Sequence, residues 1–297
     1  MKLAQKLVIG YYKAKLNLFA KLSKRKAAEK AFELFCTPFT TGKQKMPAVF
    51  EKAEKLHLKF ENYQLVGYRW NHPQPKKALI LHGFSSTVKK FDHFVMPLVK
   101  KGYEVIAFDA PAHGDSSGKT VNAFQYRDTI KAVYEKFGPI HSFIAHSFGG
   151  LALSLFMEEQ QYQEHKKLVL IAPATETESA VNSFAAFLNI EEEVKEEMNN
   201  IIRERSGREP HEISIRHAAQ KIKAEVLWIH DEDDDVTPWA DAEKIKRDHH
   251  PNFQFMLTKG LGHRRIYRDN KVKKAVILGG GLMGGGIANV TATKAGV

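Results

Sequence analysis

Cysteine is nearly missing from this sequence. Cys36 stands alone among 297 residues, so no intramolecular disulfide staples the chain, which suits a reducing compartment. Long apolar runs are also missing. Near the N-terminus, the stretch from Leu7 to Tyr12 is interrupted by Gly10 and cut off by Lys13, too short for a secretory core. No segment has the length a bilayer span requires, and a cytoplasmic location is the expectation. Polar low-complexity tracts are absent as well, and 43% hydrophobic with 27% charged residues argues against general disorder. What remains is a globular chain long enough to bury a full core in one main domain.

Acidic residues are scarce near the N-terminus. Lysine and arginine number 45 against 34 aspartates and glutamates, a formal charge of +11. Between Met1 and Lys30 nine basic residues face Glu29 alone, whereas Glu191 to Glu197 is acidic. The imbalance is thus mostly a basic N-terminal segment, and with no nucleic-acid motif elsewhere, nucleic acid is not an expected partner. Leu3, Leu7, Tyr11, Ala14, Leu18 and Leu22 recur at three- and four-residue steps among lysines, which reads as a basic amphipathic helix within a helical segment at 1–37. Two roles stand for it: an appendage packed on the main domain, or peripheral contact with a membrane surface.

Further on, Leu56 to Phe60 and Leu65 to Trp70 alternate apolar with polar around a short turn, predicting a hairpin. The pattern then changes to short apolar runs bounded by Gly, Pro or Asp: Ala78 to His82, Val105 to Phe108, Phe143 to Ala145, Leu168 to Ile171 and Val226 to Ile229. Such runs suit strands buried on both faces. Helical stretches at Phe91 to Lys101, Ala123 to Phe137, Phe148 to Glu158 and Trp239 to Arg247 alternate with them. The fold class is α/β, a mostly parallel sheet flanked by helices, over a domain at 50–272. The interval 173–222 breaks the rhythm with charged helical sequence, and is expected to form a small helical cap over the carboxyl ends of the strands, where ligands bind in open α/β sheets.

The segment Phe143-Ile-Ala-His-Ser-Phe-Gly-Gly-Leu-Ala152 sets Ser147 between a strand and a helix, with Ala145 and Gly149 two residues either side. A turn that tight needs small residues at both positions. A serine hydroxyl needs a base to take its proton, and in this topology an acid and then a histidine should follow at the ends of later strands. His230-Asp-Glu-Asp-Asp-Asp-Val-Thr-Pro238 follows one strand, and Lys259-Gly-Leu-Gly-His263 follows the next, Phe253 to Leu257. Consecutive acids on one loop rarely converge on one ion, and the calcium-loop pattern is absent, so no metal site is expected there.

From about Leu79 to His263 the chain resembles an α/β-hydrolase. Leu81-His-Gly-Phe84, Phe108-Asp-Ala-Pro-Ala-His-Gly-Asp-Ser116, the serine turn, the acid loop and the Gly-His step stand in the family's order. The resemblance implies Ser147 as nucleophile, His263 as general base and Asp234 as the acid that orients the imidazole, with Asp233 the alternative acid. It implies an oxyanion hole from the backbone N–H groups of Phe84 and Phe148, and a small-molecule acyl substrate cleaved without a cofactor. His82, Asp109 and His113 are expected to hold loops, and His146 to serve as scaffold or rim.

The last segment, 273–297, changes character. Lys-Lys-Ala-Val-Ile-Leu-Gly-Gly-Gly-Leu-Met-Gly-Gly-Gly-Ile-Ala288 reads as a strand-like run entering a glycine loop, with Gly279, Gly281 and Gly284 giving G-x-G-x-x-G. It resembles the start of the NAD-binding domain of 3-hydroxyacyl-CoA dehydrogenases. The second strand and acidic residue such a site needs are not in this sequence, so a truncated Rossmann-like fragment is expected, supplying a strand or helix for packing. Two other functions stand beside ester hydrolysis: a non-catalytic binding protein on the same scaffold, and an NAD-dependent oxidoreductase fragment.

Overall fold

In the computed structural model, residues 3–39 and 45–279 are described. Helices α1 (Leu3–Leu22) and α2 (Lys24–Phe35) open the chain, followed by the short α3 (Ala48–Glu51). The hairpin is β1 (Glu54–Phe60) and β2 (Tyr63–Trp70), antiparallel as the alternation predicts. The core then runs β3 (Lys76–Leu81), α4 (Asp92–Lys100), β4 (Tyr103–Phe108), α5 (Ala123–Phe137), β5 (Ser142–His146), α6 (Phe148–Met157) and β6 (Lys167–Ile171). The cap is α7 (Thr177–Leu188), α8 (Glu192–Ser206) and α9 (Ile215–Ala219). The closing elements are β7 (Glu225–Asp231), α10 (Trp239–Arg247), β8 (Phe253–Thr258), α11 (Gly262–Arg265) and α12 (Asn270–Gly279).

Among the described residues, eight strands form one sheet in the order β1-β2-β4-β3-β5-β6-β7-β8. Pairing is parallel from β4 onward along that order, and antiparallel only where β2 meets β1 and β4. The side-chain period of two divides each strand between two cores. Leu79, Ile106, Phe143, Leu168 and Trp228 face α5, α6 and the cap. Ala78, Val105, Ile144, Val169 and Leu227 face α4 and α12. Burial on both sides explains why these strands read as continuous apolar runs rather than alternating ones.

Two features differ from the sequence reading. First, the run Ala275-Val-Ile-Leu278 belongs to helix α12, not to a strand. Val272, Ala275 and Val276 recur at helical spacing and are buried in the second core; a four-residue apolar run on its own does not carry a period that separates helix from strand. Gly281 and Gly284, and so most of the glycine motif, lie outside the described residues.

Second, the N-terminal segment is built into the cap. Ala27, Ala28, Ala31 and Phe32 of α2 are buried in the same core as Met198, Ile201 and Ile202 of α8. Ion pairs run along the seam, from Lys24 to Glu191 and from Arg25 to Glu204 and Glu197. They are exposed, so they set register more than they stabilise, and the apolar contact carries the packing. Helix α1 buries Leu16 and Ala20 while Leu7, Tyr11, Leu18 and Leu22 remain exposed. Among the described residues no helix is long and apolar enough to cross a membrane.

Candidate active site

The site forms where β3, β5, β7 and β8 end. Ser147 sits on the turn from β5 into α6 with φ +53° and ψ −122°, a conformation costly for a residue with a side chain. It holds because its surroundings leave no alternative. The Ser147 N–H donates to Ile171 O (3.1 Å), and its carbonyl accepts from Gly150 and Ala174 N–H (2.8 and 3.0 Å). A Cβ on Gly149 would lie 2.6 Å from His82 O, and one on Gly83 2.8 Å from Ser147 Cβ. Of the two small residues read from the sequence, Gly149 is thus required by close approach to a backbone carbonyl.

The three residues named from the order of motifs meet here. Ser147 Oγ lies 2.9 Å from His263 Nε2, and His263 Nδ1 lies 2.9 Å from Asp234 Oδ2. Nδ1–H donates to the carboxylate, which leaves Nε2 free to accept from the serine hydroxyl. All three are buried. Burial pushes the Asp234 carboxyl up, but the hydrogen bond and charge of His263 and the N–H groups of Thr237 and Val236 outweigh it and hold the group below the usual carboxylate range. Asp233, the alternative acid, is exposed and accepts from Gly260 N–H (3.0 Å).

Within the same loop, Asp231 also turns to backbone. Asp231 is fully buried and accepts from Leu261 and Gly262 N–H (3.0 and 2.9 Å) and from the Thr258 hydroxyl (2.7 Å). Asp231 therefore ties down the turn that delivers His263, a role the sequence reading did not assign. Thr237 was likewise missed. Its N–H donates to Asp234 Oδ1 (2.8 Å), and its hydroxyl donates to Oδ2 (3.0 Å) while lying 3.1 Å from His263 Nδ1. The Asx-like signal Asp-x-x-Thr was present in the sequence, but the contact with a histidine 26 residues away was not. Thr237→Val keeps the shape and removes the hydroxyl. Losing one hydrogen bond to a charged group, worth about 1.5–3 kcal/mol, is expected to lower kcat at least tenfold with KM little changed, measured by steady-state ester hydrolysis.

The neighbouring histidines hold structure. His82 donates from Nδ1 to Gly83 O (2.8 Å) and accepts at Nε2 from Ala110 N–H (2.9 Å). His113 accepts from Ser85 N–H (3.0 Å) and donates to Pro111 O (2.9 Å). Asp109 accepts from Val88 and Asp115 N–H (2.9 and 3.1 Å), and burial pushes its carboxyl up to about 6. These bonds brace the loops that follow β3 and β4. His146 donates from Nε2 to His263 O (3.2 Å), and its ring lies 4.7 Å from that of His263. Burial, then the charge of His263, lowers it to about 3, so it stays neutral and supports the His263 ring.

Phe148 opens α6, where a backbone N–H has no intrahelical acceptor. Phe84 follows the His82-Gly83 pair, and the two rings meet edge to face at 5.5 Å. Both line, with Ser147, a cavity of about 390 Å³ beneath the cap.

Residues 73–207 match the family described as serine aminopeptidase S33. A Mycoplasma pneumoniae protein whose name describes it as an esterase/lipase is 27% identical over 115 residues, 37% of this chain and 42% of that one. The fatty acid oxidation complex subunit alpha of Shewanella oneidensis is 92% identical over 25 residues, 8% of this chain and 4% of the subunit. The chain thus spans under half the length of these curated relatives. Among solved structures, an esterase of Pyrococcus furiosus superposes with a TM-score of 0.59 at 19% identity, over 82% of this chain and 98% of that one. That likeness speaks for the fold alone. Over residues 73–207 the chain is thus similar to the serine aminopeptidase S33 family, and its fold is that of an α/β-hydrolase.

Proposed function

We propose that the protein hydrolyses carboxylic esters, and more slowly thioesters or amides, through a covalent acyl-enzyme formed on Ser147. The observation that carries this reading is the continuous hydrogen-bond chain Ser147–His263–Asp234, each link 2.9 Å long. In the first half-reaction Ser147 Oγ bonds to the ester carbonyl carbon as its proton passes to His263 Nε2. The carbonyl oxygen becomes an oxyanion held by the N–H groups of Phe84 and Phe148, each donor worth about 3 kcal/mol in such a site. The C–O bond to the alcohol then breaks, and the imidazolium returns the proton to the departing oxygen. In the second half, water replaces the alcohol: His263 takes its proton, hydroxide adds to the acyl carbon, and the carboxylic acid leaves as Ser147 regains its hydrogen.

Asp234, ionised throughout, fixes the tautomer and stabilises the imidazolium. Stopped-flow hydrolysis of p-nitrophenyl acetate tests the two-step course. A burst of p-nitrophenol equal to the enzyme present is expected when deacylation is the slower step. Hydrolysis without any acyl adduct detectable by mass spectrometry after acid quench would overturn the acyl-enzyme.

A further inference from the structure

The cavity beside Ser147 is not enclosed by the hydrolase core alone. Helix α2 lies before the family match, yet Phe32, Phe35 and Cys36 line this cavity together with Phe184 of α7 and Ile202 of α8. Phe35 and Phe184 meet edge to face at 5.2 Å, closing the space between the N-terminal segment and the cap. Burial pushes the Cys36 thiol up to about 12, so it stays a neutral, apolar group. The Arg205 guanidinium lies over the Phe32 ring, 4.9 Å from its centroid.

Along α7 the cavity is lined from Thr177 to Phe184, and seven steps of helix at 1.5 Å make it about 10 Å long. At about 30 Å³ for each water-sized group, its 390 Å³ holds on the order of a dozen non-hydrogen atoms. A space lined by aromatic and apolar side chains, with Ser147 in its wall, fits a flexible aliphatic chain better than a compact polar group.

Resting on the hydrolase reading above, we propose that α2 is a wall of the acyl pocket, that the substrate is an ester of an unbranched aliphatic acid of roughly eight to twelve carbons, and that Phe35 sets the chain-length limit. The ester carbonyl lies at Ser147 and the methyl end of the chain packs against Phe35, Phe184 and Phe32. Each methylene buried along the way raises kcat/KM by roughly fourfold, until the chain reaches the α2 wall and the gain stops.

The test is kcat/KM across p-nitrophenyl esters from acetate to palmitate, for the full-length protein and for Phe35→Ala and Phe35→Trp. Wild type is expected to peak between the octanoate and dodecanoate esters. Phe35→Ala is expected to raise the ratio of palmitate to butyrate kcat/KM at least tenfold, and Phe35→Trp to move the optimum to shorter chains. A profile of unchanged shape in both variants overturns the proposal. So does a uniform loss on all esters, which marks Phe35 as merely structural. Decanoate binding to Ser147→Ala by isothermal titration calorimetry separates this proposal from the catalytic reading, since it needs no turnover. Decanoate affinity lowered at least tenfold when Phe35→Trp is added supports the wall even if no ester is cleaved. Affinity indifferent to residue 35, or no binding at all, removes it.

Discussion

Ser147→Ala is expected to lower kcat for a p-nitrophenyl ester by on the order of 10⁶-fold, with KM nearly unchanged. The size follows from the unity of the triad: loss of the nucleophile disables the whole relay, and the activity left comes from binding and the oxyanion donors alone. The fold should survive. Ser147 contributes its backbone to Ile171, Gly150 and Ala174 through its N–H and carbonyl, and alanine keeps both. The far-ultraviolet circular dichroism and the thermal midpoint should therefore match wild type within a few degrees. Residual activity within tenfold of wild type would mean that another group attacks the ester.

Asp234→Asn is the next largest effect, expected to cost about 10⁴-fold in kcat near neutral pH. The direction follows from the hydrogen bonds. Oδ1 accepts from the N–H groups of Val236 and Thr237 (2.9 and 2.8 Å), so the asparagine oxygen must take that place and the NH₂ must take the place of Oδ2. There it donates to His263 Nδ1. The ring proton then moves to Nε2, where it faces Ser147 Oγ and cannot accept the serine proton. Asp233→Asn is the control. Asp233 is exposed and bonds Gly260 rather than His263, so its substitution should change kcat less than threefold. Equal losses in the two variants, measured side by side, would put the acid assignment in doubt.

Much of this architecture could be read from the order of residue types, because the reasons are local. Parallel strands buried on both faces must be short and apolar, and Leu168 to Ile171 or Val226 to Ile229 could be read as such because they alternate along the chain with longer helical stretches. The serine turn was legible for a steric reason: Gly149 passes a carbonyl too closely for any side chain. Asp234 was separable from Asp233 only through the resemblance, since five consecutive acidic residues, from Asp231 to Asp235, carry no internal sign of which one turns inward. Burial decides it, and burial depends on where β8 returns the His263 turn.

Contacts between distant segments were not legible. The amphipathic pattern of the N-terminal segment shows that a face will be covered but not by what; its partner, α8, lies some 170 residues further along, as the Arg25 pairs show. Hence Phe35 was not expected beside Phe184, and the first helices were left between an appendage packed on the main domain and peripheral membrane contact. The tail erred in the other direction. Ala275 to Leu278 resembles the opening strand of another protein family, but here the run follows β8 and the His263 turn, where the apolar face left open by α4 and the sheet needs a helix. Local sequence proposes a strand; the place left in the core decides for α12.

In the proposed mechanism His263 activates the buried hydroxyl of Ser147. Incubating the intact protein with a fluorophosphonate probe and mapping the modified peptide by mass spectrometry tests it without any assumption about the substrate. The expected result is one adduct per chain, located on Ser147, and its disappearance in His263→Ala. An unlabelled protein, an adduct on a different serine, or labelling of Ser147 that proceeds as fast without His263 would contradict it.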